Sequence, residues 1–253
     1  MPNWCSNTIV LKGKAKDLKR FDDQFKAPVE KYYGGAASID SKDDMILSEL
    51  GKGWKGWIEY RIREKVNSNG KGFELNYISG IDNKAGYSFS NFVHMTKDDF
   101  LNGWYDWSVK NWGTKWDCCS EDVSVTGLEE AEEAIEQNMP DKELYLTYYF
   151  DTAWSPCCPV VAEMARQYPG LEIQHYYVEE GCLIAGVDEY KDGEIVSSKE
   201  ADPDNFREFI YENFQDTEFY KCENCGKNYM YEWELEGDGE ECPECGSKEI
   251  VEM

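Results

Sequence analysis

Four cysteines near the C-terminus have the spacing that holds a metal ion. Cys222-Glu223-Asn224-Cys225-Gly226 and Cys242-Pro243-Glu244-Cys245-Gly246 are two C-x2-C-G knuckles separated by sixteen residues. Two residues between paired cysteines let both sulfurs of a turn face one tetrahedral ion, and the trailing glycine permits the positive φ that aims backbone N–H groups at the thiolates. A thioredoxin-like dithiol needs one such pair beside a βαβ core, so the doubled pattern points to metal. The expected cofactor is one structural Zn²⁺ held by Cys222, Cys225, Cys242 and Cys245, with no coordination position left for substrate. Tyr229, Tyr231 and Trp233 alternate as a strand in the spacer and Gly237-Asp238-Gly239 makes its turn, which is the hairpin of a zinc ribbon.

The remaining chemistry-bearing residues are less ordered. The loop around Gly113 carries Trp112, Lys115, Trp116 and Asp117, and with Trp154 these five form a candidate binding cleft for a base, sugar or peptide. The plainer reading, that the tryptophans cover the end of a sheet and Lys115 and Asp117 bond locally, is preferred. Lys52, Trp54, Lys55, Trp57, Arg61 and Arg63 interleave cations with aromatics, the mixture that follows phosphates while stacking bases, and form the candidate nucleic-acid face. A solvated amphipathic helix explains the same letters, and Glu59 and Glu64 dilute the charge. Cys118-Cys119 and Cys157-Cys158 would make a second metal or redox site if their loops met, but adjacent cysteines point apart and free cysteine is commonly buried. Of the two histidines, neither His94 nor His175 stands at a ligand spacing or beside a nucleophile, so enzymatic chemistry finds little support and no catalytic residue is assigned.

Hydrophobic periodicity supplies the elements that position these groups. A strand over Thr8 to Lys12 precedes a helix with Leu18, Phe21 and Phe25 on one face, stopped by Pro28. Residues 30 to 110 read as a long insertion with short elements. A short strand at Val123 and Val125 leads to a brief acidic helix through Leu128, Ala131 and Ile135. The strand Glu143 to Phe150 then runs to Ser155-Pro156, read as N-cap and first helical position of a helix with Val160, Val161, Met164, Ala165 and Tyr168. Strands Leu171 to Glu179 and Cys182 to Tyr190 are joined at Glu180-Gly181, residues 191 to 201 are polar, and Asp202-Pro203 starts a helix with Phe206, Phe209, Ile210 and Phe214. The order fits an α+β fold, a ferredoxin-like split βαβ sheet with helices on one face, plus the small ribbon. Its expected divisions are residues 1–195 for the sandwich, 196–218 for a linker and helix, and 219–253 for the ribbon.

Charge is unevenly placed. Residues 1–120 carry 18 Lys+Arg against 16 Asp+Glu, whereas residues 121–253 carry 8 against 35, which accounts for the net charge of -25. A field of that sign repels phosphate and attracts basic protein, when it does not serve solubility alone. No apolar run approaches the roughly 20 residues of a membrane helix, and the opening residues lack a signal peptide's regions, so a cytoplasmic protein without membrane association is expected.

Three segments, MPNWCSN at the start, NWGTKWD at Asn111 to Asp117 and DTAWSP at Asp151 to Pro156, together resemble the YubB-like ferredoxin-like domain of plasmid and phage proteins. The resemblance spans roughly residues 1 to 195, with Cys157-Cys158 where such proteins continue with a second proline. It implies a mobile-element origin, a bacterial host cytoplasm and the same sheet, and it brings no catalytic residues. The expected function is that of a non-enzymatic accessory protein binding a basic protein partner through its acidic surface, with mimicry of nucleic acid as a sharper version. A nucleic-acid-binding module and an enzyme at the Trp112, Trp116 and Trp154 cleft are the alternatives.

Overall fold

The computed structural model describes residues 3–29, 31–39, 56–67, 70–81, 86–119, 121–214, 220–229 and 241–252 of the 253-residue chain. In chain order the elements begin with β1 (Trp4–Lys14) and α1 (Ala15–Phe25), followed by β2 (Lys31–Ile39), β3 (Gly56–Asn67) and β4 (Gly70–Ile81). A 3-10 turn at Phe89–Asn91 precedes α2 (Lys97–Trp112), β5 (Ser124–Thr126), α3 (Leu128–Glu136), β6 (Glu143–Ala153) and α4 (Cys158–Gln167). Then come β7 (Glu172–Glu179), β8 (Ile184–Lys191), β9 (Glu194–Glu200), α5 (Phe206–Asn213), β10 (Tyr220–Cys222), β11 (Asn228–Tyr229) and β12 (Ile250–Glu252).

The main sheet has the order β5-β6-β1-β7-β8-β9 with every neighbouring pair antiparallel. β1 separates β6 from β7, which α4 connects, and β6 separates β1 from β5. Two split βαβ units therefore interlock, and this is the ferredoxin-like arrangement. Strict alternation along β1 sends Cys5, Asn7, Ile9 and Leu11 to the buried face and Trp4, Ser6, Thr8 and Val10 to the other. The edge strand and the placing of the helices depart from the sequence reading. Residues 194–200 continue the sheet as an exposed edge strand, because their hairpin turn at Asp192-Gly193 adopts the positive φ angles (53° and 82°) that reverse the chain tightly. The helices also do not share one face: α5 packs Phe206, Phe209 and Ile210 against Ala185 and Val187 on the face opposite the main core.

α1 buries Leu18, Phe21, Asp22 and Phe25, the i, i+3, i+4, i+7 stripe of an amphipathic helix. It has no side-chain cap; the N–H groups of Ala15 and Lys16 donate instead to the carbonyls of Lys142 (2.9 Å) and Pro140 (3.0 Å). α4 begins two residues later than the Ser155-Pro156 signal suggests. The Ser155 hydroxyl is occupied elsewhere, donating to the Gly113 carbonyl at 2.6 Å, and the N-cap position falls to Cys157.

The chain leaves α1 and returns to the same place. Gly86 N donates to the Lys26 carbonyl and Ser88 N to the Phe25 carbonyl, both at 3.0 Å, while Asn91 Nδ2 bridges the Phe25 and Ala27 carbonyls. Between these points lies a separate antiparallel sheet of order β2-β4-β3. The basic and aromatic stretch is thus a strand over residues 56–67, not a helix; Trp57, Arg61 and Arg63 fall at alternate positions of β3, while Lys52, Trp54 and Lys55 lie outside the described residues.

Asp22 is a fully buried carboxylate among aromatic rings. Oδ1 accepts from the hydroxyls of Tyr87 (2.9 Å) and Tyr148 (3.1 Å), and Oδ2 pairs with the Lys26 ammonium at 2.5 Å, which ties α1 to β6 and to the returning segment. Burial first, and then the Asp22 charge, push both phenols above their ordinary range, so they remain donors. Replacing Asp22 with alanine strands two hydroxyls and an ammonium and should lower stability by about 3 kcal/mol. Tyr148→Phe keeps the ring and loses one hydrogen bond to a charge, so urea denaturation should register about 1.5 kcal/mol.

Candidate metal centre

The C-terminal unit is a three-stranded antiparallel sheet of order β11-β10-β12, and its two knuckles are close copies. Gly226 N donates to the Cys222 carbonyl at 2.8 Å and Gly246 N to the Cys242 carbonyl at 2.7 Å. Their φ angles of 76° and 67° lie in the left-handed region, which is why glycine follows each C-x2-C pair. Cys222 N and Cys242 N donate in turn to the carbonyls of Lys227 and Ser247, both at 2.9 Å.

All four sulfurs stand within 4.8 Å of one another, and the Cys222–Cys245 and Cys225–Cys242 separations are both 3.6 Å. A tetrahedral ion with metal–sulfur bonds of about 2.3 Å has edges of about 3.8 Å, so the cluster has the dimensions of a metal site. All ten cysteines of the chain are free of disulfides. Asn224 Nδ2 donates to Cys245 Sγ at 3.5 Å, and the Tyr229 hydroxyl touches Cys242 Sγ at 2.9 Å. Desolvation raises the Cys242 thiol, yet the Tyr229 hydroxyl and the N–H groups of Glu244 and Cys245 outweigh it and bring it to about 6. The Lys227 N–H favours the Cys225 thiolate, but desolvation and the three neighbouring sulfurs prevail and push it up to about 12. Four thiols this close cannot all ionise without mutual repulsion, a conflict that a bound cation removes. Tyr231, Trp233 and the Gly237-Asp238-Gly239 turn lie outside the described residues.

The loop carrying the candidate cleft is divided between core and surface. Trp112 is in the main core, its Nε1 donating to the Val93 carbonyl at 2.9 Å and its ring edge-on to Trp107. Asp117 accepts from Phe89 N (2.6 Å), Cys118 N (2.9 Å) and the Ser88 hydroxyl, anchoring the 3-10 turn. Both residues therefore act structurally. Lys115 lies over the Trp116 ring, with Nζ 4.5 Å from the centroid, and Trp116 is 6.3 Å from Trp4. Trp4, Trp116 and Trp154 are 52%, 41% and 46% exposed, so the open aromatic patch includes Trp4, which the cleft reading omitted. Its signal was the register: Trp4 pairs with Ala153, next to Trp154, whose N–H donates to the Asn3 carbonyl at 3.0 Å.

A second group of ligating side chains, Cys158, His175 and Asp188, was missed by spacing. Their ligand atoms lie within 4.8 Å of one another. His175 and Asp188 are direct partners across β7 and β8, and Cys158 is the first residue of α4 above them. The sequence reading of a tight turn at Glu180-Gly181 would set residue 175 opposite 186; the connection instead spans residues 180–183, and that register brings 188 opposite 175. Cys118 and Cys157 are buried in the main core, and neither belongs to a metal-ligating cluster among the described residues.

Gly113 is the joint on which the loop turns. Its φ of 86° ends α2, and a Cβ there would stand 2.4 Å from Pro159 Cδ and 2.7 Å from the Pro156 carbonyl. Gly113→Ala combines a left-handed strain with a clash against backbone, and thermal or urea unfolding should show a loss of about 3 kcal/mol.

The family comparison gives a ferredoxin-like fold for part of the chain. Residues 130–223 match the family described as "Ferredoxin-like domain in Api92-like protein". Among solved structures, the crystal structure of a protein api92 from Yersinia pseudotuberculosis is similar at 14% identity and a TM-score of 0.39, covering 80% of this chain and 99% of that one. No curated protein matches the chain. Residues 130–223 of this chain, from α3 through β10, thus carry a ferredoxin-like domain similar to that of Api92-like proteins.

Proposed function

We propose that this chain is a non-enzymatic accessory protein of a phage or plasmid, a YubB-like ferredoxin-like domain with an appended zinc ribbon, that binds a basic protein partner in the host cytoplasm. The observation that carries the reading is the separation of charge along the chain, with 35 Asp+Glu against 8 Lys+Arg in residues 121–253. Much of that acid is on the surface: Glu129, Glu130, Glu133 and Glu136 of α3 and Glu194 and Glu200 of β9 are all exposed. Such a field draws in lysine- and arginine-rich surfaces and opposes phosphate, and in its sharper form it imitates the charge of nucleic acid.

The ribbon's part is structural. Four thiolates at tetrahedral spacing favour Zn²⁺ over hard oxygen-seeking cations and leave no coordination position for water or substrate. Among the described residues the unit's core is Cys222, Tyr229 and Cys242 with Tyr220 and Ile250, a small group that a bound ion would hold together. Elemental analysis of Cys242→Ser should show one fewer equivalent of zinc than the parent chain.

One observation favours a second reading, a nucleic-acid-binding module. On the uncovered face of β6, Tyr145 and Tyr149 are 60% and 40% exposed, and with Trp4 they offer flat rings where bases could stack. Trp57, Arg61 and Arg63 add a basic strand. The two readings separate in one experiment. Immobilised full-length chain should retain basic proteins from a bacterial lysate and release them toward 1 M salt, where the screening length falls to about 3 Å. Retention of proteins that are neither basic nor salt-released defeats the acidic-surface reading. A gel shift of single-stranded oligonucleotides at low salt replaces it with the second.

A further inference from the structure

We infer that Cys158, His175 and Asp188 form a second metal site, distinct from the ribbon, that takes a divalent transition-metal ion of the Zn²⁺ class inside the ferredoxin-like domain. The argument begins at Asn7. Its Nδ2 donates to the Cys5 carbonyl and to Thr152 Oγ1, both at 2.8 Å. A carbonyl only accepts, so the amide orientation is settled, and Asn7 Oδ1 is the atom 3.0 Å from His175 Nε2. Nε2 must then carry the ring proton, which leaves Nδ1 as a bare lone pair.

That lone pair has no partner. His175 is fully buried and its Nδ1 accepts no hydrogen bond. An unsatisfied buried polar atom costs about 1 to 3 kcal/mol, and native cores leave very few of them. Beside this ring stands a ligand set: the Cys158 sulfur and an Asp188 carboxylate oxygen, each within 4.8 Å of a His175 ring nitrogen and of one another. Thiolate, imidazole and carboxylate together suit Zn²⁺, Co²⁺ or a similar ion, and are poorly matched to Mg²⁺ or Ca²⁺.

The surroundings hold these groups as a coordination shell would need them held. Asn7 fixes the histidine tautomer through Nε2, the usual outer-shell arrangement for a metal-bound imidazole. The Ser198 hydroxyl donates to Asp188 Oδ1 at 2.6 Å and orients the carboxylate. Gly186 makes room for Tyr177 beside the cluster, since a Cβ at Gly186 would lie 2.2 Å from the Tyr177 hydroxyl oxygen. Ligand atoms of a tetrahedral ion stand about 3.3 to 3.7 Å apart, a distance reached by small rotations of Cys158 and Asp188. Three protein ligands leave a fourth position, unlike the closed shell of the ribbon.

The test is to count metal on the full-length chain after loading with Zn²⁺ and passage over a chelating resin. Two equivalents are expected, one for each cluster. Cys158→Ser and the isosteric Asp188→Asn should each fall to one equivalent while keeping the circular dichroism of the parent, whereas Cys182→Ser, an exposed thiol outside both clusters, should retain two. The Co²⁺-loaded chain should show thiolate-to-cobalt charge transfer that falls, in both Cys158→Ser and Asp188→Asn, to the level supplied by the four-cysteine cluster. One equivalent in the parent chain, or a second equivalent that survives both substitutions, overturns the inference.

Discussion

The alternation of β1 is the constraint on which the rest of the main domain stands. This strand sits between β6 and β7, and its buried residues Cys5, Asn7, Ile9 and Leu11 face Thr152, Phe150, Tyr148 and Leu146 on one side. On the other side Asn7, Ile9 and Leu11 face Tyr177, His175 and Ile173. A slip of one residue would turn Ile9 and Leu11 into water and bring Thr8 and Val10 inward, so both registers are fixed by the same four side chains. The positions of α1, α4 and the cluster around His175 follow from that choice in different degrees. The Cys158, His175 and Asp188 group depends on it directly, because β7 takes its register from β1 and β8 takes its register from β7.

Asp22, Asn7 and His175 are polar side chains buried in this core, and they are treated differently. Asp22 is satisfied by two phenols and an ammonium, so its cost is offset where it arises and it serves as a clamp between helix and sheet. Asn7 is likewise saturated, contacting the Cys5 carbonyl, Thr152, Cys157 and His175. His175 is the exception. Burial holds it neutral, down to about 3, and one nitrogen is bonded while the other is not. The contrast within a few ångströms is what marks the cluster around His175 as a place where something else binds.

The insertion and the ribbon extend this frame without entering its logic. The chain departs after Ala27 and is recaptured at Gly86 by hydrogen bonds to the end of α1, so an added sheet of three strands leaves the core pairing intact. The ribbon is organised by four sulfurs and one tyrosine, not by apolar area. Among the described residues no helix is long and apolar enough to cross a membrane, and the acidic residues of α3 and β9 stand on exposed surface.

The four-cysteine cluster was legible from spacing alone because its geometry is local: two residues between cysteines and a glycine after them are enough to define each knuckle, whatever the rest of the chain does. The strands β1, β6, β7 and β8 and the helices α1 and α4 were legible for a similar reason, since periods of two and 3.6 are written into consecutive residues. The edge strand β9 was not, because exposed strands lack a buried face and therefore lack the alternation that announces one. The start of α4 was misplaced because Ser155 gave its hydroxyl to Gly113, forty-two residues away. Trp112 and Trp116 carry the same letter four residues apart, yet one fills the core and the other meets solvent; the left-handed turn at Gly113 between them makes that difference. Cys158, His175 and Asp188 are ordinary residues along the chain, and they become a site through the pairing of β7 with β8 beneath the first turn of α4. Long-range pairing creates such juxtapositions because it joins residues whose separation along the chain carries no information about their distance in space.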